Sequence, residues 1–206
     1  MEIQTARRIE EVQEYYFSKK RQELEALSNQ GVKVINLGIR SPDLPPPAEM
    51  VEMLNEISAK SSSHGYQNYR GSDELRKAIS EWYARYYDVN INFKTEVLPL
   101  MGSKEGIMHL SMALLNEGDK VLVPNPGYPV YRTASEMAGA KVLNYSLLEQ
   151  NNFFPDFDEL EILDLKGVKL MWVNYPNMPT GTRATLPLFE RLVEFGRKHG
   201  ILICHD

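Results

Sequence analysis

Apolar positions change their spacing along the chain, and the changes predict a helical start followed by alternating helices and strands. Between Ile9 and Ser28 the apolar residues recur near helical spacing among many charges, and Gly31 supplies a stop, so the segment reads as an amphipathic surface helix. Val32 to Leu37 then reads as a short strand. The run Ser41-Pro42-Asp43-Leu44-Pro45-Pro46-Pro47 forbids regular helix and inner-strand pairing, because proline lacks the amide donor. It is read as a crossover that divides residues 1–47 from residues 48–206.

Past the prolines the pattern predicts helices over Ala48–Ser58 and Asp73–Tyr87, a short strand at Val97–Met101, and a helix over Lys104–Leu115. It continues with strand Lys120–Val123, helix Val130–Ala138, strands Lys141–Tyr145 and Lys169–Val173, helix Leu186–His199 and strand Ile201–Cys204. Runs such as Val121-Leu122-Val123 and Leu170-Met171-Trp172-Val173 are apolar without alternation, which suits strands covered on both faces. The expected fold is therefore α/β, a mostly parallel sheet with helices on both faces, preceded by a helical segment. The last strand runs to Asp206 with no element after it, so the chain reads as truncated.

Composition narrows the function classes. The 206 residues carry 23 basic and 28 acidic side chains, a net charge of −5 with no basic block, which gives no support to a nucleic-acid partner. No apolar run is long enough to span a bilayer, so no membrane role is expected. A polar start without the apolar centre of a signal peptide, and the single cysteine Cys204, point to a cytoplasmic protein. His64, His109, His199 and His205 lack metal-ligand spacing, so no metal is expected.

Four segments carry candidate chemistry. Met101-Gly102-Ser103-Lys104-Glu105-Gly106 follows the strand expected at Val97–Met101 and opens a helix, where exposed amides and the Ser103 hydroxyl favour an anion; it also reads as an ordinary turn and cap. Pro126-Gly127-Tyr128-Pro129-Val130-Tyr131 fixes a rigid turn that either presents an aromatic ring to a flat ligand or caps the core. Asn174-Tyr175-Pro176-Asn177-Met178-Pro179-Thr180-Gly181 offers amides for a ligand or for Asx turns. Asp206 ends an inner strand, either as a cap for a following element or as partner to a cationic group.

In this order, with Asn36-Leu37-Gly38 before the proline turn and Tyr66 five residues before Gly71, the segments resemble the N-terminal half of a class I/II aminotransferase, the fold-type I enzymes that use pyridoxal 5′-phosphate. The resemblance covers about Val34 to Asp206. It implies that Ser103 and Lys104 hold the cofactor phosphate, that Tyr128 stacks on the pyridine ring, and that Asp206 pairs with the pyridinium nitrogen. It also implies that Tyr66 reaches the phosphate of a neighbouring subunit, hence a homodimer, and that the backbone at Gly38 lies near the substrate carboxylate. Residues 1–47 would belong to the small domain, and 48–206 to the truncated cofactor-binding large domain.

Two departures stand out. The family commonly has Asn immediately before Pro-Thr-Gly, hydrogen-bonded to the cofactor's phenolic oxygen; this chain has Met178, whose thioether cannot donate, so Asn177 or Asn174 would take over, with Asn177 favoured. The Schiff-base lysine that the resemblance places beyond Asp206 is not present. The implied activity is amino-group transfer between an L-amino acid and a 2-oxo acid, this chain alone being inactive. The alternatives are a pyridoxal-phosphate lyase or decarboxylase and a non-catalytic binding module.

Overall fold

The computed structural model describes residues 3–10, 12, 16–35 and 42–206. The chain divides into two compact units, one formed by Met1–Val12 with Leu100–Asp206 and the other by Gln13–Pro99.

The Gln13–Pro99 unit is helical. Helix α2 (Tyr16–Asn29) follows the short α1 (Arg7–Glu10) of the other unit, and α3 (Ala48–Ser58) and α4 (Asp73–Tyr87) occupy the ranges their periodicity predicts. Helix α4 starts where Ser72 Oγ accepts the Leu75 amide at 3.2 Å and stops where Asp88 turns left-handed, φ 54°. Arg76, buried in this helix, donates to the Phe93 carbonyl at 3.2 Å and pairs with Asp73, tying the following loop to α4. The expected strand over Val32–Leu37 is absent at residues 32–35, and residues 36 and 37 lie outside the described part.

The other unit is the α/β layer. Helices α5 (Ser103–Leu114), α6 (Pro129–Met137), α7 (Phe157–Glu161) and α8 (Leu186–His199) pack on strands β1 (Lys120–Asn125), β2 (Lys141–Ser146), β3 (Val168–Val173) and β4 (Leu202–His205). The sheet is parallel throughout, in the order β2-β1-β3-β4, with Val121 opposite Val142, Leu122 opposite Met171 and Trp172 opposite Cys204. Val97–Met101 is not a strand. Pro99 lacks an amide donor, and among the described residues no strand pairs with this segment to complete a ladder.

Period-two alternation divides the core between the two faces of the sheet. Val121, Val123, Leu170, Trp172 and Cys204 pack with Ile107 of α5 and with Tyr131 and Ala134 of α6. Leu122, Met171 and Val173 pack on the other face with Phe157 and Leu160 of α7 and Leu188, Leu192 and Phe195 of α8. Burying each large side chain contributes roughly 1.5–3 kcal/mol, and this two-sided burial explains why the strands read as unbroken apolar runs.

Candidate active site

The connection from β1 to β2 leaves in one direction with α6 on one face. The connection from β3 to β4 leaves in the other direction with α8 on the opposite face. In a parallel α/β sheet such a reversal opens a crevice beyond the carboxyl ends of the strands. The turns after β1 and β3 and the residue after β4 are the segments that the sequence marked.

After β1, the backbone closes so tightly that a Cβ on Gly127 would sit 2.6 Å from the Pro124 carbonyl oxygen. A residue without a side chain is required there, and it delivers Tyr128 to the start of α6, with Pro129 in the first turn. The Tyr128 ring meets the Tyr131 ring edge-on, centroids 5.6 Å apart. Tyr131 is fully buried and lies parallel to Trp172 of β3 at 5.3 Å. Its hydroxyl donates to Asp206 Oδ2 at 2.7 Å. Burial, then this hydrogen bond and the carboxylate's charge, push the Tyr131 phenol far above its ordinary range.

After β3, Asn177 is buried inside its own turn. Its Oδ1 accepts from Thr180 Oγ1 at 2.8 Å and its Nδ2 donates to the Asn174 carbonyl at 3.3 Å. Asn174, which the sequence reading held second to Asn177, reaches further. Its Nδ2 donates to the Asp206 carbonyl at 2.7 Å and its Oδ1 accepts the Met178 amide at 2.8 Å. The Asp206 amide in turn donates to the Val173 carbonyl at 3.1 Å. Asp206 is thus gripped through its main chain by β3 and the following turn, and through its side chain by α6.

Gly102 precedes α5 with φ 91° and ψ 158°, a conformation that only glycine adopts readily, and brings no side-chain cap to the helix. The first-turn amides, with exposed Ser103 and Lys104, form an anion-seeking end. Lys104 Nζ lies 5.9 Å from the Tyr128 ring centroid, which links this end to the β1 turn. Tyr66 is exposed and belongs to the other unit; Gly38 lies outside the described residues.

An amide-rich helix end for an anion, an aromatic face for a planar ring and a half-buried carboxylate for a protonated ring nitrogen form a donor set that fits pyridoxal 5′-phosphate. Sequence reasoning missed Tyr131 as a partner of Asp206. Its spacing of three from Tyr128 was visible, but nothing local says that its hydroxyl meets a residue 75 positions away.

Comparison with known proteins defines the class. The family Aminotransferase class I and II matches residues 32–206, and the chain belongs to it. Members of that family depend on pyridoxal phosphate. The chain is 42% identical over 205 residues to LL-diaminopimelate aminotransferase 2 of Trichormus variabilis, covering 99% of this chain and 53% of that protein. It is 41% identical over 204 residues to LL-diaminopimelate aminotransferase of Dehalococcoides mccartyi, with the same coverage of each. Among solved structures, apo-BacF from Bacillus subtilis superposes with a TM-score of 0.94 at 40% identity, over 100% of this chain and 52% of that one. The chain spans about half the length of the curated relatives it matches. Among the described residues no helix is long and apolar enough to cross a membrane.

Proposed function

We propose that this chain is the N-terminal half of a cytoplasmic, homodimeric aminotransferase that moves an amino group between an L-amino acid and a 2-oxo acid. LL-diaminopimelate is the first amino donor to test, because the relatives named above are aminotransferases for it. The observation that carries the reading is the convergence on one sheet edge of Tyr128, Asp206 and the strand-following turns, with Lys104 of the α5 start beside Tyr128.

When bound, pyridoxal phosphate supplies an electron sink for bonds at the substrate's α-carbon. The amides of Ser103 and Lys104 with the Ser103 hydroxyl would hold its phosphate, and Tyr128 would stack on its ring. Asp206 would hold a proton on the ring nitrogen, the condition under which that sink is effective. The sequence reading gives the phenolic oxygen to Asn177, but its Oδ1 and Nδ2 bond within its own turn, which Asn174 braces against Asp206. Tyr66 from a second copy would reach the phosphate. Residues 1–47 fall in the small domain of the whole enzyme and residues 48–206 in its large domain. A lyase and a non-catalytic module are not favoured, since the named relatives are aminotransferases.

The test is Asp206→Ala in the whole protein, assayed with LL-diaminopimelate and a 2-oxo acid. Loss of a preorganised charge at the reacting centre is expected to cut turnover about 100-fold or more. Near-normal turnover would refute the role of Asp206, and no turnover with any amino donor in the unaltered protein would refute the activity.

A further inference from the structure

We propose that Tyr131 is a positioning residue that fixes the direction of the Asp206 carboxylate. The importance of that carboxylate rests on the pyridoxal phosphate reading above. The geometry does not. Asp206 is pinned at its amide by Val173 and at its carbonyl by Asn174, so what remains free is rotation of its side chain. The Tyr131 hydroxyl removes that freedom by donating to Oδ2 at 2.7 Å, leaving Oδ1 as the acceptor for a ring N–H.

Packing alone does not explain the hydroxyl. A phenyl ring would stack on Trp172 and meet Tyr128 equally well, and burying a phenol oxygen carries a desolvation cost that only a partner offsets. The hydroxyl of fully buried Tyr131 has Asp206 as that partner. The helix holding it is fixed as well: Pro129 begins α6, and Ser135 Oγ donates to the Tyr131 carbonyl at 2.7 Å. Because burial keeps the phenol protonated, Tyr131 stays the donor of this hydrogen bond.

The test reads pyridoxal phosphate affinity of the whole protein by quenching of protein fluorescence. Tyr131→Phe frees the carboxylate to turn from the ring nitrogen and is expected to weaken affinity about tenfold, while Tyr145→Phe, which removes a hydroxyl bonded to the Trp172 carbonyl at 2.6 Å, is expected to leave it within about twofold. Because Tyr131 acts through Asp206, the loss is expected to vanish when Tyr131→Phe is added to Asp206→Ala. Unchanged affinity in Tyr131→Phe, equal losses in both phenylalanine variants, or a full further loss in the double variant overturns the proposal. Unchanged affinity in Asp206→Ala overturns instead the cofactor role of Asp206.

Discussion

Glycine-to-alanine replacement has opposite expected signs in two helices of the same unit, α8 and α5. In an exposed helix interior the change stabilises by roughly 1 kcal/mol, because glycine loses more backbone freedom on folding. At Gly196 the added Cβ would lie 2.7 Å from the Ile201 carbonyl oxygen and 2.9 Å from Ile203 Cγ1, well inside the 3.4 Å at which ordinary contact begins. The obstacle is backbone, and it cannot move freely. Ile201 donates to the Gly196 carbonyl at 2.8 Å, and the residues that follow form β4. Overpacking of this kind costs about 2–3 kcal/mol, so Gly196→Ala is expected to destabilise by about 1–2 kcal/mol net and to lower Tm by about 5 °C. At Gly106 the new Cβ meets Leu100 Cδ1 at 2.5 Å, the tip of a partly exposed side chain that can rotate away. Gly106→Ala is therefore expected to fall within about 0.5 kcal/mol of the parent, on the stabilising side. Thermal unfolding followed by far-ultraviolet circular dichroism measures both. Equal shifts of the same sign would refute the claim that close approach of α8 to β4 limits this site.

Two further outcomes concern ionisation. Burial pushes the Cys204 thiol up to about 11, so at pH 8 its thiolate fraction is about 100-fold below that of a thiol at the reference value of 9.0. Iodoacetamide labelling followed by mass spectrometry is expected to be at least that much slower in the native chain than in urea, and comparable rates would contradict the buried placement. Stability is expected to fall at alkaline pH, because Cys204, Tyr131, Tyr145 and Tyr175 all have raised native values, with burial the leading cause. Each holds its proton in the native state after the unfolded chain has released its own. The contribution is complete below the unfolded value and is lost as pH rises, first from about 9 for the thiol and then from about 10 for the phenols. Urea midpoints at pH 8, 9.5 and 11 check this, and a flat profile would count against it.

The fold was legible wherever local pattern and tertiary environment agreed. Helices α3, α4 and α8 fall on their expected ranges because each carries a spaced apolar stripe, with Ser72 and Thr185 capping α4 and α8 and Gly200 stopping α8. Strands β1 and β3 were readable from unbroken apolar runs. Residues 97–101 show the limit, since a strand needs a neighbour to take its hydrogen bonds and Val97-Leu98-Pro99 carries no information about one. Helix α7 escaped notice at five residues. Its signal was nevertheless present, because Asp156 accepts the amides of Asp158 and Glu159 as an ordinary cap does. In the candidate site, Tyr128, Ser103, Lys104 and Asp206 could be selected because each follows a strand or opens a helix. The ties from Asp206 to Tyr131 and Asn174 span 75 and 32 positions and depend on sheet order.

The stack of Trp172 on Tyr131 also gives the molecule a built-in optical gauge. The chain contains two tryptophans: Trp172 is 2% exposed on β3 in one unit, and Trp82 is 47% exposed on α4 in the other. An indole shielded from water emits at shorter wavelength than one that solvent can relax, so the two halves of the emission band belong to different units. The blue edge follows the sheet edge that carries Asp206, the red edge follows the helical unit, and one spectrum resolves in what order they come apart.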